Sequence, residues 1–127
     1  MARGRLRIGM AGWSCQDWKG RFYPSSPPPG FDALTYYAGH FDTVEVNTTF
    51  YRIPRRDTVA AWAERTPDGF VFAVKLFGGL SHGDTPATAA AFRPFVDALR
   101  PLVEVGKLGC VLAQFPPSFR PHPSSSV

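Results

Sequence analysis

Between Phe41 and Pro54 the sequence reads FDTVEVNTTFYRIP, and this stretch concentrates groups that do chemistry. A carboxylate at Glu45, an amide at Asn47 and a hydroxyl at Thr49 recur at every second position, with Tyr51 and Arg52 just beyond. A carboxylate at a strand end serves as a general base, a metal ligand or half of an ion pair. A guanidinium beside it pairs bidentately with phosphate or carboxylate. Lys75, which ends the run FVFAVK, adds an ammonium that binds anions or, if desolvated, forms a Schiff base. Gln114 ends LGCVLAQ with a second amide, and Trp13 offers an aromatic face. His82, in GGLSHG, can shuttle protons or ligate a metal. The expected catalytic residues are Glu45, Lys75 and His82. The expected ligand-binding residues are Trp13, Asn47, Thr49, Tyr51, Arg52 and Gln114.

Each assignment has a plainer counterpart. A structural Glu45–Lys75 ion pair stands level with catalysis, and a lone histidine on a glycine-rich loop more often does neither job. Arg55 and Arg56 read as a solvated helix start, while core packing explains most of the aromatics. No metal is expected, because this chain places only Glu45, His82 and the amide of Gln114 at strand ends, and a divalent ion wants more. GGLSHG lacks the spacing and context of a phosphate-binding loop. The cofactor is left open.

The elements that must position these groups alternate. RLRIGMA (Arg5 to Ala11) reads as a first strand, weakened by Gly9, and Gly12 to Pro24 as a loop rich in aromatics. SSPPPG is a further loop. Phe31 to His40 is a short helix started by Asp32, with Leu34, Tyr37, Ala38 and Phe41 at helical spacing. Thr43 to Asn47 is the second strand, and Arg55 to Arg65 a helix with Val59, Trp62 and Ala63 on one face. TPDG is a turn. Phe70 to Lys75 is the third strand, and Gly78 to Asp84 a flexible stretch. A helix follows, capped by Thr85 or Thr88, with Phe92, Phe95, Val96 and Leu99 as its stripe and Pro94 bending it or marking its first turn. Leu108 to Gln114 is an apolar fourth strand, suited to burial on both faces.

Strand, helix, strand in this rhythm predicts an α/β fold with a parallel sheet. Right-handed crossovers put every strand's carboxyl end on one rim. Alternation places Glu45 with Asn47, Ala73 with Lys75, and Leu112 with Gln114 on one face, while Val44, Val46, Phe72 and Val74 face the helices. Polar groups at a carboxyl rim are where α/β barrels and open α/β sheets keep their sites.

The chain has 127 residues, with 44% hydrophobic and 19% charged, which fits one folded domain and excludes disorder over the whole length. Fourteen Lys and Arg against ten Asp and Glu give a net charge of +4, a mild general field that favours anionic ligands. Two distant cysteines form neither a C-x-x-C pair nor a disulfide framework, which fits a cytoplasmic setting. No apolar run approaches the ~20 residues that span a bilayer, so no membrane is expected.

The segments GWSCQDWKGRFYP, FDTVEVNTTFYRIP, FVFAVK and LGCVLAQFPPSF occur in an order and spacing that resemble the YecE-like family, domain of unknown function 72. Trp13, Trp18, Tyr23, Glu45, Asn47, Thr49, Phe50, Tyr51, Arg52, Lys75, Gln114, Pro116 and Pro117 match its motifs position by position. Two places depart: Cys15 stands where an aromatic is usual, and Ser81-His82 where Thr-His is usual. The resemblance implies a TIM-like (β/α) barrel with a rim site and no established reaction. A complete barrel needs ~250 residues. The expectation is therefore a barrel truncated to its first four strands and three helices over residues 1–121, with 122–127 as an aberrant tail. Such a chain would expose strand edges and self-associate. Functionally it reads as the rim of an enzyme for a small or nucleotide-like anionic substrate, inactive in this shortened form. The alternative is a nucleic-acid-binding module that uses basic and aromatic loops.

Overall fold

The computed structural model describes residues 3–82 and 88–120. Four strands, β1 (Gly9–Ala11), β2 (Thr43–Val46), β3 (Val71–Lys75) and β4 (Leu108–Leu112), form one sheet in the order β1-β2-β3-β4. Every pairing is parallel. The crossovers carry α1 (Ala33–Ala38), α3 (Arg56–Glu64) and α5 (Ala89–Glu104), with two single helical turns, α2 (Thr48–Tyr51) and α4 (Gly78–Ser81), at the exits of β2 and β3. Strand order follows chain order without reversal, so there is no switch point of the kind that defines doubly wound sheets. Consecutive units with their helices on one face are the arrangement of a (β/α) barrel wall.

The core lies between the sheet and the helices. Val44, Val46, Phe72 and Val74 are buried against Leu34, Tyr37, Val59, Trp62, Phe95 and Leu99, as alternation requires. The register aligns Ala11, Glu45, Ala73 and Cys110 across the opposite face, which no described element covers. Between Phe72 and Ala73 the pairing with β4 slips by one residue, and Gly109 is the extra one. That bulge keeps Leu108 and Val111 on the helical side while Cys110 joins the open face.

Local chemistry explains the elements. Asp32 caps α1 by accepting from the Thr35 amide, and Thr88 caps α5 by accepting from the Ala91 amide. Thr85, the other candidate cap, falls outside the described residues, as do residues 83–84 of the expected flexible stretch and the tail from 121. The C-terminus of α5 closes with two reverse hydrogen bonds, Gly106 N–H to Val103 O and Lys107 N–H to Leu102 O, with Gly106 at φ +71°. The Tyr37 hydroxyl, whose pKa burial raises, accepts from the Met10 amide and donates to the Thr43 carbonyl, tying β1 to β2. At Gly9 a Cβ would lie 1.9 Å from the Thr43 carbonyl oxygen, so the residue that weakens strand propensity is the one that lets β1 approach.

Several expectations change. β1 and β4 are shorter than their apolar runs, because pairing to one neighbour only sets their length. β4 is not buried on both faces: it is an edge, with Val111 42% and Leu112 40% exposed. Pro94 lies in the second turn of α5, which runs through it and through Pro101. Val96 stands outside the core, and Ala98 and Leu102 take the buried positions instead. The exits of β2 and β3, read as a loop and a flexible stretch, are helical at Thr48–Tyr51 and Gly78–Ser81.

Candidate functional site

The expected site residues fall into three groups around the carboxyl rim. Glu45 and Lys75 belong to the open face of the sheet, with Glu45 beside Ala73 and Lys75 two residues further along β3. They do not form the ion pair that stood as the alternative to catalysis: it is absent from the four pairs among the described residues. The Lys75 ammonium instead lies 5.3 Å from the centre of the Phe50 ring. The Glu45 carboxylate accepts no hydrogen bond from the described residues. The register explains this: neighbours on one sheet face pair when their residues are opposite, and here Ala73 occupies that place.

Phe50, on the α2 turn, gathers the second group. The His82 ring stands edge-on to it at 5.1 Å, and the Tyr51 ring at 5.3 Å. His82 Nδ1 and the Ser81 hydroxyl are 2.8 Å apart. α4 reaches this ring because of Gly78, where a Cβ would come within 2.9 Å of Phe50. Thr49 is fully buried, and its hydroxyl donates to the Lys75 carbonyl at 2.6 Å, with the Val46 carbonyl at 3.2 Å. It therefore joins the exits of β2 and β3 rather than presenting a hydroxyl to a ligand, and the ligand-binding assignment of Thr49 is replaced by this structural one.

The third group lines two adjoining clefts. A cleft of about 270 Å³ is bounded by Gly12, Trp13, Ser14, Asn47, Thr48 and Trp62. The Trp13 ring meets Trp62 edge-on at 5.6 Å, and its carbonyl accepts from the Tyr23 hydroxyl. Burial, with nearby Tyr37 and Asp32, pushes the Tyr23 phenol up to about 12, so it stays a donor. Asn47 Oδ1 is buried and has no hydrogen-bond partner among the described residues. A buried acceptor without a donor costs about 1–3 kcal/mol, and such an atom calls for a ligand or water. A second cleft of about 270 Å³ shares Thr48 and Trp62 and adds Arg52, Arg55 and Thr58. Arg55 is held by Asp57 at 2.7 Å, whereas Arg52 is exposed and makes no ion pair among the described residues. Neither Glu45 nor Lys75 lines these clefts, so the rim offers two adjacent environments rather than one.

Gln114 lies two residues past β4, exposed and apart from these groups. Trp18 and Tyr23 pack with Phe22, Phe31, Tyr36 and His40 into an aromatic cluster around α1, which leaves Tyr51, 80% exposed, as the open stacking face among the aromatics proposed for bases. Among the described residues no three His, Cys, Asp or Glu side chains gather as a metal site. Sequence reasoning gave no role to Phe50, Thr48 or Trp62 at the rim. Only the helical turn after β2 brings Phe50 to Lys75 and His82, and its one sequence signal is the unbroken aromatic run following the strand.

This geometry defines a singly wound α/β protein of the barrel class with polar groups on its carboxyl rim. The chain belongs to the family described as protein of unknown function DUF72, whose model matches residues 7–127. It is 33% identical over 119 residues to the UPF0759 protein YunF of Bacillus subtilis, covering 90% of this chain and 41% of that protein. It is 32% identical over 124 residues to the UPF0759 protein YecE of Escherichia coli K12, covering 92% of this chain and 40% of that one. A crystal structure of a DUF72 family protein from Enterococcus faecalis superposes with a TM-score of 0.76 at 30% identity, over 94% of this chain and 42% of that chain. One from Thermotoga maritima gives 0.74 at 32% identity, over 94% and 47%. The chain thus spans 40–47% of the length of these relatives. No described helix is long and apolar enough to cross a membrane.

Proposed function

We propose that the carboxyl rim binds a small anionic ligand, with Lys75 and Arg52 supplying positive charge and Glu45 placed as the acid–base group. One observation carries this reading: Glu45 and Lys75 share an open sheet face without neutralising each other. Two charges kept apart on a face with no covering element are available to a third partner. His82, held against Phe50 beside Lys75, is positioned to relay a proton.

Inorganic phosphate, pyrophosphate and small dicarboxylates, each compared with chloride at equal ionic strength, test the binding by thermal shift. Saturation to 100 times Kd corresponds to about 2.7 kcal/mol of stabilisation. The shift should shrink in Lys75→Met and Arg52→Met and persist in Glu45→Gln. No shift with any anion, or one that ignores Lys75→Met, overturns the reading. The acid–base assignment is tested on any turnover found in a full-length relative: there, Glu45→Gln at the matching position should abolish it with the fold intact, and surviving activity would remove Glu45 from the acid–base role.

A further inference from the structure

The two rim clefts share a wall, and their linings differ in chemistry. The cleft of Thr48, Arg52, Arg55 and Thr58 is formed wholly by residues 48–62, the stretch that leaves β2 and enters α3. Arg55 is committed to Asp57 through two nitrogens, at 3.1 and 2.7 Å, and Asp57 also accepts from the Thr58 amide. Arg52 makes no ion pair among the described residues. The Thr49 hydroxyl is spent on the Lys75 carbonyl, whereas those of Thr48 and Thr58 bond to no described group. The cleft therefore offers one unpaired guanidinium and two uncommitted hydroxyls. Donors from three separate side chains suit the three terminal oxygens of a phosphate monoester better than the two of a carboxylate.

The neighbouring cleft, between the exits of β1 and β2, is mostly apolar and has no Lys, Arg, Asp or Glu in its lining. It shares Thr48 and Trp62 with the first. Phe72 fixes Trp62 from the core side, the two rings stacking at 6.1 Å and 20°. Trp13 stands edge-on to Trp62 and is only partly buried, so indole surface remains open to a ligand. Indole walls bind flat rings through offset or edge-to-face contact. Each cleft measures about 270 Å³. That is just short of the roughly 300–1,000 Å³ of small-molecule sites, and the two joined fall within the range.

We infer that the joined clefts hold a small phosphate monoester of a flat aromatic ring, with its phosphoryl group on Arg52, Thr48 and Thr58 and its ring along Trp13 and Trp62. This rests on the anion reading for the charge of Arg52 and adds the remainder of the ligand to it. Lys75 and Glu45 line neither cleft, so Lys75 acts on the phosphoryl group through its field alone and the ring's contribution is independent of both. The walls come from the exits of the paired strands β1 and β2 and from α3.

Titration calorimetry on the 127-residue chain tests it with inorganic phosphate, ribose 5-phosphate and phenyl phosphate, at low salt and a pH where all three are dianions. Phenyl phosphate should bind roughly tenfold or more tightly than inorganic phosphate, the scale of one stacked ring. Ribose 5-phosphate, which lacks the flat ring, should show no such gain. Trp13→Leu should remove the gain and leave inorganic phosphate unchanged, while Arg52→Met and Thr58→Val should weaken all three ligands. Lys75→Met should weaken them by one common factor and leave the gain intact. Far-UV circular dichroism checks that the variants fold. Should Trp13→Leu fail to fold, tryptophan emission of the wild type serves instead, changing with phenyl phosphate and not with inorganic phosphate. Phosphate binding through Arg52 with no gain for phenyl phosphate, an equal gain for ribose 5-phosphate, a gain that survives Trp13→Leu, or unchanged emission overturns this inference and leaves the anion reading standing. No binding of any of the three overturns both.

Discussion

Lys107 and Glu45 make opposite use of a charge. The Lys107 ammonium is buried and donates to the carbonyls of Ala63 and Thr66 at 2.7 Å, with the Thr66 hydroxyl at 3.2 Å. It satisfies the carbonyl end of α3 and places positive charge where the helix dipole favours it. Lys107→Met should therefore lower the unfolding free energy by about 1–3 kcal/mol in urea titrations, since two buried carbonyls lose their donor. An unchanged midpoint would show that water replaces it. Nothing in VEVGKLG marks this lysine, because its acceptors lie over forty residues earlier and only the fold brings them near. Glu45 was legible because alternation alone puts it opposite Val44 and Val46. Its failure to pair with Lys75 was not, since that depends on register. Asp32 gives a prediction with a sign. Hydrogen bonding to Arg65, then to Thr35, lowers its carboxyl from 3.8 to about 2 despite partial burial. The folded state holds this proton less readily than the unfolded one, so the stabilisation is complete above pH 3.8 and disappears as pH falls through about 2. Both partners are about one-third exposed, which limits the effect to no more than about 1 kcal/mol. The unfolding free energies of wild type and Asp32→Asn should differ at neutral pH and converge near pH 2. A gap independent of pH would assign the loss to packing.

At the scale of elements, the three crossover helices and the two central strands were readable from periodicity, reinforced in α1 and α5 by the caps Asp32 and Thr88. The single-turn helices were not, because four residues carry no period to detect. Their positions depend on contact: Thr49 bonds the Lys75 carbonyl, and Gly78 admits Phe50. The bulge at Gly109 was also hidden, although it decides which side chains of β4 face α5. Gly9 offers a direct test. Gly9→Ala drives a methyl into the Thr43 carbonyl and should cost about 1–3 kcal/mol or detach β1, while Gly4→Ala, with nothing within 4 Å, should be neutral. Equal midpoints for the two variants in thermal melts would show that β1 shifts without penalty.

For the molecule as a whole, the parallel sheet followed from the alternation of strands and helices, while its barrel-type strand order followed from the family resemblance. The candidate site was less legible: alternation grouped its residues on one carboxyl rim, but their division into an open charged face and two clefts depends on packing around Trp62 and Phe50. The sheet also has a consequence in time. Among the described residues each strand pairs with its neighbours in chain order. No pairing among them waits for a more distant strand, so this order can be laid down in the direction of synthesis. Native-state amide exchange should preserve a trace of that history. Val44, Val46, Phe72 and Val74, flanked on both sides, should exchange only through global unfolding, and Met10, on an end strand of the described sheet, should exchange through local opening. The inner pair of strands would then act as the seed that the rest of the chain extends.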